Sequence, residues 1–212
     1  MNGEKYQAYL ASYKANLPFT HVDHEAFEIH GISVTVDAYE YNDANNHREV
    51  AHLLLEKADY RYEFDCVDRH HWDFYPVTLD GRSYLLICKS LYGFTLLDPT
   101  TLNEVYDYFP EKVLENEESF IITGAQTFGK YLIFDGCYWG SSYEFCAYHH
   151  ATKRFVSLTQ IYGITAGDQS AEVVGENLIL KGNDTEHWNP TEISIIEADI
   201  DRLMDERGTT DF

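Results

Sequence analysis

Apolar positions along this chain fall mostly at a period of two, the spacing of a strand with one buried face. Ile32, Val34 and Val36 alternate with Ser33, Thr35 and Asp37, which predicts a strand from Ile32 toward Tyr41. Asn42-Asp43-Ala44-Asn45-Asn46 has the composition of a turn. Glu49 to Lys57 and Tyr60 to Val67 read as two further strands. Two stretches depart from this rule. Tyr6, Tyr9, Leu10 and Tyr13 are spaced as on one helix face, so a short helix is predicted from Glu4 to Lys14, closed by Leu17-Pro18. Ala198, Ile200, Leu203 and Met204 predict a short C-terminal helix that stops near Gly208.

The middle of the chain repeats itself. Tyr84 to Cys88, Tyr131 to Asp135 and Asn177 to Leu180 are continuous apolar runs, as in strands covered on both faces. Each is followed by a loop and a second strand-like run: Tyr92 to Asp98, Tyr143 to Tyr148, and Glu192 to Ile196. The first two units add a third run, Glu104 to Phe109 and Arg154 to Leu158, after turns at Asp98-Pro99-Thr100-Thr101 and His149 to Lys153. Aligned on Leu85, Leu132 and Leu178, the units recur at roughly 46 residues, a period typical of propeller blades. The expected fold class is therefore all-β, with antiparallel sheets in four small propeller-like blades and short N- and C-terminal helices. The region from Phe27 to Val67 has to supply one of these blades. The whole chain, 1–212, is expected to form a single β-repeat domain, the usual outcome at this length.

Composition supports strands and narrows the partners. Seventeen Tyr and 12 Phe suit a pleated surface. With 36 carboxylates against 15 Lys and Arg the net charge is −21, which argues against nucleic acid and against anionic membrane surfaces. Such a charge serves solubility in the first place, and a basic protein is the partner that it would select. The N-terminal residues carry no secretory pattern, so the cytoplasm is the expected location. Cys66, Cys88, Cys137 and Cys146 lie far apart, without the paired short spacings of a zinc site, and read as reduced thiols. Nothing in the pattern sets an oligomeric state.

Most apparent motifs fail on context. Gly124-Ala125-Gln126-Thr127-Phe128-Gly129-Lys130 imitates a phosphate loop, but Tyr131 stands where a hydroxyl is needed and a strand follows where a helix is required. A hairpin turn explains it better. Ten histidines, among them His21 and His24, His47 and His52, and the pairs His70-His71 and His149-His150, match no ligand motif and read as surface or turn residues. No cofactor fingerprint and no catalytic elbow occurs, and no catalytic residue is assigned. One segment stands out: Asp135, Cys137, Tyr138, Trp139, Tyr143 and Glu144 gather carboxylates, aromatics and a thiol around Gly136 and Gly140. Together with Tyr92 these are the candidate ligand-binding residues, with an aromatic plug packed between blades as the alternative reading, and Cys137 has no neighbouring base to activate it.

The segment from Tyr92-Gly93-Phe94 through Glu104 to Pro110, Glu118-Ser119-Phe120-Ile121 and Asp135 to Trp139 resembles that of a group of uncharacterised bacterial proteins sharing an ESFI…DGCYW…YE core. The resemblance covers the middle third, implies WD40-like or propeller-like β repeats, and brings no established activity. Two functions are then expected. The first is a non-enzymatic protein-binding scaffold, such as an acidic inhibitor or immunity-type protein for a basic partner. The second is a binding protein or enzyme for a sugar or cationic metabolite, using the aromatic and acidic segment from Asp135 to Trp139.

Overall fold

The computed structural model describes residues 2–67, 72–115, 117, 119–166 and 171–210. His70-His71 lie outside them. Four four-stranded antiparallel sheets account for most of the chain. The first holds β1 (Thr20–Ile29), β2 (Ile32–Asn42), β3 (His47–Lys57) and β4 (Tyr60–Val67), in chain order. The second holds β5 (Asp73–Leu79), β6 (Arg82–Cys88), β7 (Phe94–Leu97) and β8 (Glu104–Tyr108). The third holds β9 (Ile121–Phe128), β10 (Tyr131–Cys137), β11 (Glu144–His149) and β12 (Arg154–Ser157). In the fourth, β15 (Asn177–Asp184) pairs with both β13 (Ile164–Thr165) and β14 (Ala171–Val174) and with β16 (Pro190–Ile196). The helices are α1 (Asn2–Lys14), α2 (Glu111–Leu114), α3 (Leu158–Tyr162) and α4 (Glu197–Arg207). None of the described helices is long and apolar enough to cross a membrane.

The three repeated leucines take equivalent places. Leu85 on β6, Leu132 on β10 and Leu178 on β15 each sit on an interior strand with a partner strand on either side. On β6 and β10 the run is continuously apolar because both faces are covered, whereas β15 alternates buried and half-buried residues, so only one of its faces is deep in the core. Leu85 to Cys88 and Tyr131 to Phe134 are buried throughout. The repeat begins one strand earlier than the apolar runs suggest, since β5, β9 and β14 precede those runs. The imitation phosphate loop is the β9–β10 hairpin, with its turn at Gly129-Lys130.

The chain clusters into two compact units. The first comprises Met1–Pro76 and Ser83–Glu117, the second Val77–Arg82 and Glu118–Phe212. In the first, Val34, Val36, Leu53 and Leu55 pack with Leu85, Ile87 and Leu97. Helix α1 buries Tyr6 and Leu10, and the Tyr6 hydroxyl sits between the Asp65 and Lys89 carbonyl oxygens at 2.6 and 2.7 Å. In the second, Tyr131, Ile133 and Phe145 of the third sheet pack with Leu178 and Leu180 of the fourth and Leu203 of α4. Each buried side chain of this size contributes about 1.5–3 kcal/mol, so the cores outweigh any single polar contact.

Candidate functional site

The segment singled out by the sequence spans the end of β10, a tight turn and the start of β11. Asp135 pairs with Phe145 and Gly136 with Glu144 across those strands. Side chains alternate along a strand, so neighbours in sequence part company here. Asp135 shares its face with Tyr131 and Ile133 and looks toward the core of the second unit. Tyr138 and Glu144 instead line a cleft of about 180 Å³ with Phe120, Ser157, Gln160 and Arg207. Trp139 and Tyr143 stand at the turn, 59% and 44% exposed. Tyr92 belongs to the first unit. The candidate residues thus form a cleft pair, an exposed pair and an inward carboxylate, with Cys137 half-buried at the strand end.

The turn itself is held firmly. The Tyr138 N–H donates to Ser141 Oγ at 3.0 Å, and the Ser141 N–H to the Tyr138 carbonyl at 2.9 Å. The Tyr143 carbonyl accepts from the Ala166 N–H at 3.0 Å, and Glu144 Oε2 accepts from Ser157 Oγ at 2.9 Å. Burial, with Cys146 and Glu144 adding to it, pushes the Tyr138 phenol up to about 12. Burial and then Glu144 raise the Cys137 thiol, the opposite of what a nucleophilic cysteine needs.

Asp135 carries an unusual environment. Its Oδ1 has no hydrogen-bond partner among the described residues, while the Ala171 backbone N–H donates to the carboxyl. Desolvation dominates and raises the acid from 3.8 to about 6. Between those values the folded chain holds a proton that the unfolded chain has released, so stability falls as pH rises through that window. Asp135→Asn should remove this slope, worth on the order of 3 kcal/mol by pH 7. Urea denaturation at pH 4, 5, 6 and 7 measures it; an unchanged slope in the variant means that another group is responsible.

A second constellation, on the outer face of the first sheet, was not legible in the sequence. His24, Asp37, His52 and Asp65 are direct partners across β1, β2, β3 and β4. His24 Nδ1 lies 2.8 Å from Asp37 Oδ1 and His52 Nδ1 2.8 Å from Asp65 Oδ1. Lys14 donates to Asp65 Oδ2 at 2.5 Å. Burial works against ionisation of Asp65, but Lys14 and His52 more than offset it and hold the carboxyl below its ordinary range. His52 and Asp65 line a cleft of about 350 Å³ with Lys14, Phe19, Tyr39 and Val50.

Neither a family model nor a curated protein matches this chain. Among solved structures, a crystal structure of HIRA(644-1017) is similar at 8% identity and a TM-score of 0.37, over 84% of this chain and 55% of that one. The GH43 endo-arabinanase from Bacillus licheniformis is similar at 11% identity and a TM-score of 0.30, over 89% of this chain and 77% of that one. The present chain thus spans little more than half of the HIRA fragment. Both likenesses are loose, and neither bears on function.

Proposed function

We propose that this chain is a non-enzymatic binding protein that engages a basic partner through the β10–β11 turn. The observation that carries the reading is the exposure of Trp139 and Tyr143 on one hydrogen-bonded turn of a chain with net charge −21. Trp and Tyr are the side chains that most often anchor protein interfaces, and their ring faces attract Lys and Arg. The carboxylate excess is spread over both units, so it speeds encounter and selects cations in general. Local recognition then falls to the turn.

The test is capture of basic proteins on the immobilised chain at low and at moderate salt, followed by titration of the species identified. Trp139→Ala with Tyr143→Ala should weaken that complex at least about tenfold, with circular dichroism checking that the variant keeps its fold. Retention of no basic protein, or retention indifferent to both salt and substitution, would remove the proposal. A small-ligand reading keeps one specific support, the cleft that Tyr138, Glu144 and Arg207 help to line. A thermal-shift screen with sugars and polyamines distinguishes it, because a ligand of that cleft raises the melting temperature even when Trp139 is absent.

A further inference from the structure

Strand β1 is paired on one side only. Its neighbour in the first sheet is β2, and no backbone–backbone hydrogen bond among the described residues ties β1 to anything else. His30 and Gly31, both with positive φ, form the two-residue turn into β2, which makes Ile29 and Ile32 a hydrogen-bonded pair. Bonding alternates along such a ladder. Ile29, Phe27, Glu25 and Asp23 therefore bond to β2, whereas His24, Ala26 and Glu28 turn their N–H and C=O groups to the open side. The His24 N–H agrees with this, since it donates to Asp23 Oδ1 at 2.9 Å. A bulge at Val22 ends the regular stretch. An open edge of this kind is a template for a further strand.

Beside that edge lies a cleft of about 390 Å³. Asp23 and Glu25 share a sheet face with Ala38 and Val36, their partners on β2, and all four line the cleft together with Trp72 and Asp73. The Trp72 ring stacks on Phe27 at 5.5 Å, which fixes it as a wall. No Lys or Arg among the described residues lines this cleft. Its carboxylates, indole and apolar floor suit a side chain with an apolar stem and a cationic head.

We propose that an extended basic segment of a partner protein adds to β1 as the next strand of the sheet, with Lys or Arg at alternate positions beside Asp23 and Glu25. Main-chain hydrogen bonds to His24, Ala26 and Glu28 supply affinity, and the cleft selects the basic side chain. A second copy of β1 fits poorly, because it sets the carboxylates of Asp23, Glu25 and Glu28 against their own kind. This surface extends the reading above, since the partner is again basic, but it belongs to the first unit and not to the β10–β11 turn.

The probe is a labelled heptapeptide of alternating Lys and Val, with a Glu and Val peptide as its acidic counterpart, titrated against the full chain by fluorescence anisotropy. The basic peptide should bind, weaken as salt rises, and slow hydrogen exchange at the His24, Ala26 and Glu28 amides, whereas the acidic one should not bind. Asp23→Lys with Glu25→Lys should weaken binding at least about tenfold. The same charge change placed at Glu186 and Glu206 should leave it nearly unchanged. Ala26→Pro removes a donor from the open side while sparing the β2 ladder, and should also weaken binding at least about tenfold. Circular dichroism checks that each variant folds. Trp139→Ala with Tyr143→Ala should bind the peptide like the wild type; loss of binding there would assign the peptide to the β10–β11 turn and overturn the β1 proposal alone. No binding, full affinity in both β1 variants, unchanged exchange along β1, or a peptide-free dimer that protects β1 would overturn it as well.

Discussion

Replacing Gly136 by Ala is expected to destabilise the chain by about 3 kcal/mol, seen as a large drop in the urea midpoint. A Cβ there would meet the Ile121 carbonyl oxygen at 2.0 Å and the Phe120 ring at 2.5 Å. The first of these is backbone, so no side-chain rotation relieves it. The ladder is irregular at the same place, since the register between β10 and β9 shifts between Asp135 and Gly136. Gly140, four residues on, supplies the control: it has φ +76° and open space around it. Ala at 140 therefore suffers backbone strain alone, about 1 kcal/mol. A wild-type midpoint for Gly136→Ala would mean that β9 and β10 lie farther apart than these contacts require.

The second large effect concerns Lys89. Its side chain is only 9% exposed, with Nζ 3.3 Å from Asp107 Oδ1 and 3.5 Å from Glu104 Oε2. The rings of Tyr62, Phe64 and Tyr6 surround the ammonium at 5.3, 5.7 and 6.0 Å. The Asp107 side chain is 7% exposed and also accepts from Thr95 Oγ1 at 2.6 Å. Lys89→Met keeps the stem but takes the ammonium away from that buried carboxylate, an expected loss of about 3–5 kcal/mol. Lys89→Met with Asp107→Leu should recover most of it, because a buried ion pair and an apolar pair of similar volume are nearly equivalent in stability. A double-mutant cycle in denaturant reads the coupling; single and double variants of equal stability would show that the pair is not coupled.

Much of the fold was legible because burial leaves a periodic trace. Strand β2 alternates, β6 and β10 are continuously apolar, and β3 proves to be the strand that Glu49 to Lys57 suggested. The elements that escaped have no such trace. Strand β1 is exposed at nearly every residue, so pairing with β2 defines it rather than any hydrophobic face. Strand β13 has two residues and α3 five, the latter started by the Ser157 hydroxyl accepting from the Gln160 N–H. Both are too short for a period to show.

The site was partly legible in the same sense. Asp135 to Glu144 was recognisable as a concentration of chemistry, but alternation sends its members to different faces. The His24–Asp37–His52–Asp65 row has the opposite character. Its members are far apart in sequence, and only strand register brings them into line. A His-x-x-His spacing inside a regular strand puts its two rings on opposite faces. The one inserted residue at Val22 restores His21 to the side of His24, and no periodicity in the sequence marks it.

In three of the four sheets the strands lie side by side in the order in which they are synthesised, each joined to the next by a hairpin or short loop. A ribosome releasing this polypeptide therefore exposes every strand of those sheets just after the neighbour it must meet, and loop closure stays inexpensive in entropy. The fourth sheet is the exception, since β15 emerges after β13 and β14 and before β16 yet has to zip against all three. Completion of that sheet accordingly waits for β16 to emerge, and nascent chains halted before Pro190 should remain the ones most open to proteases.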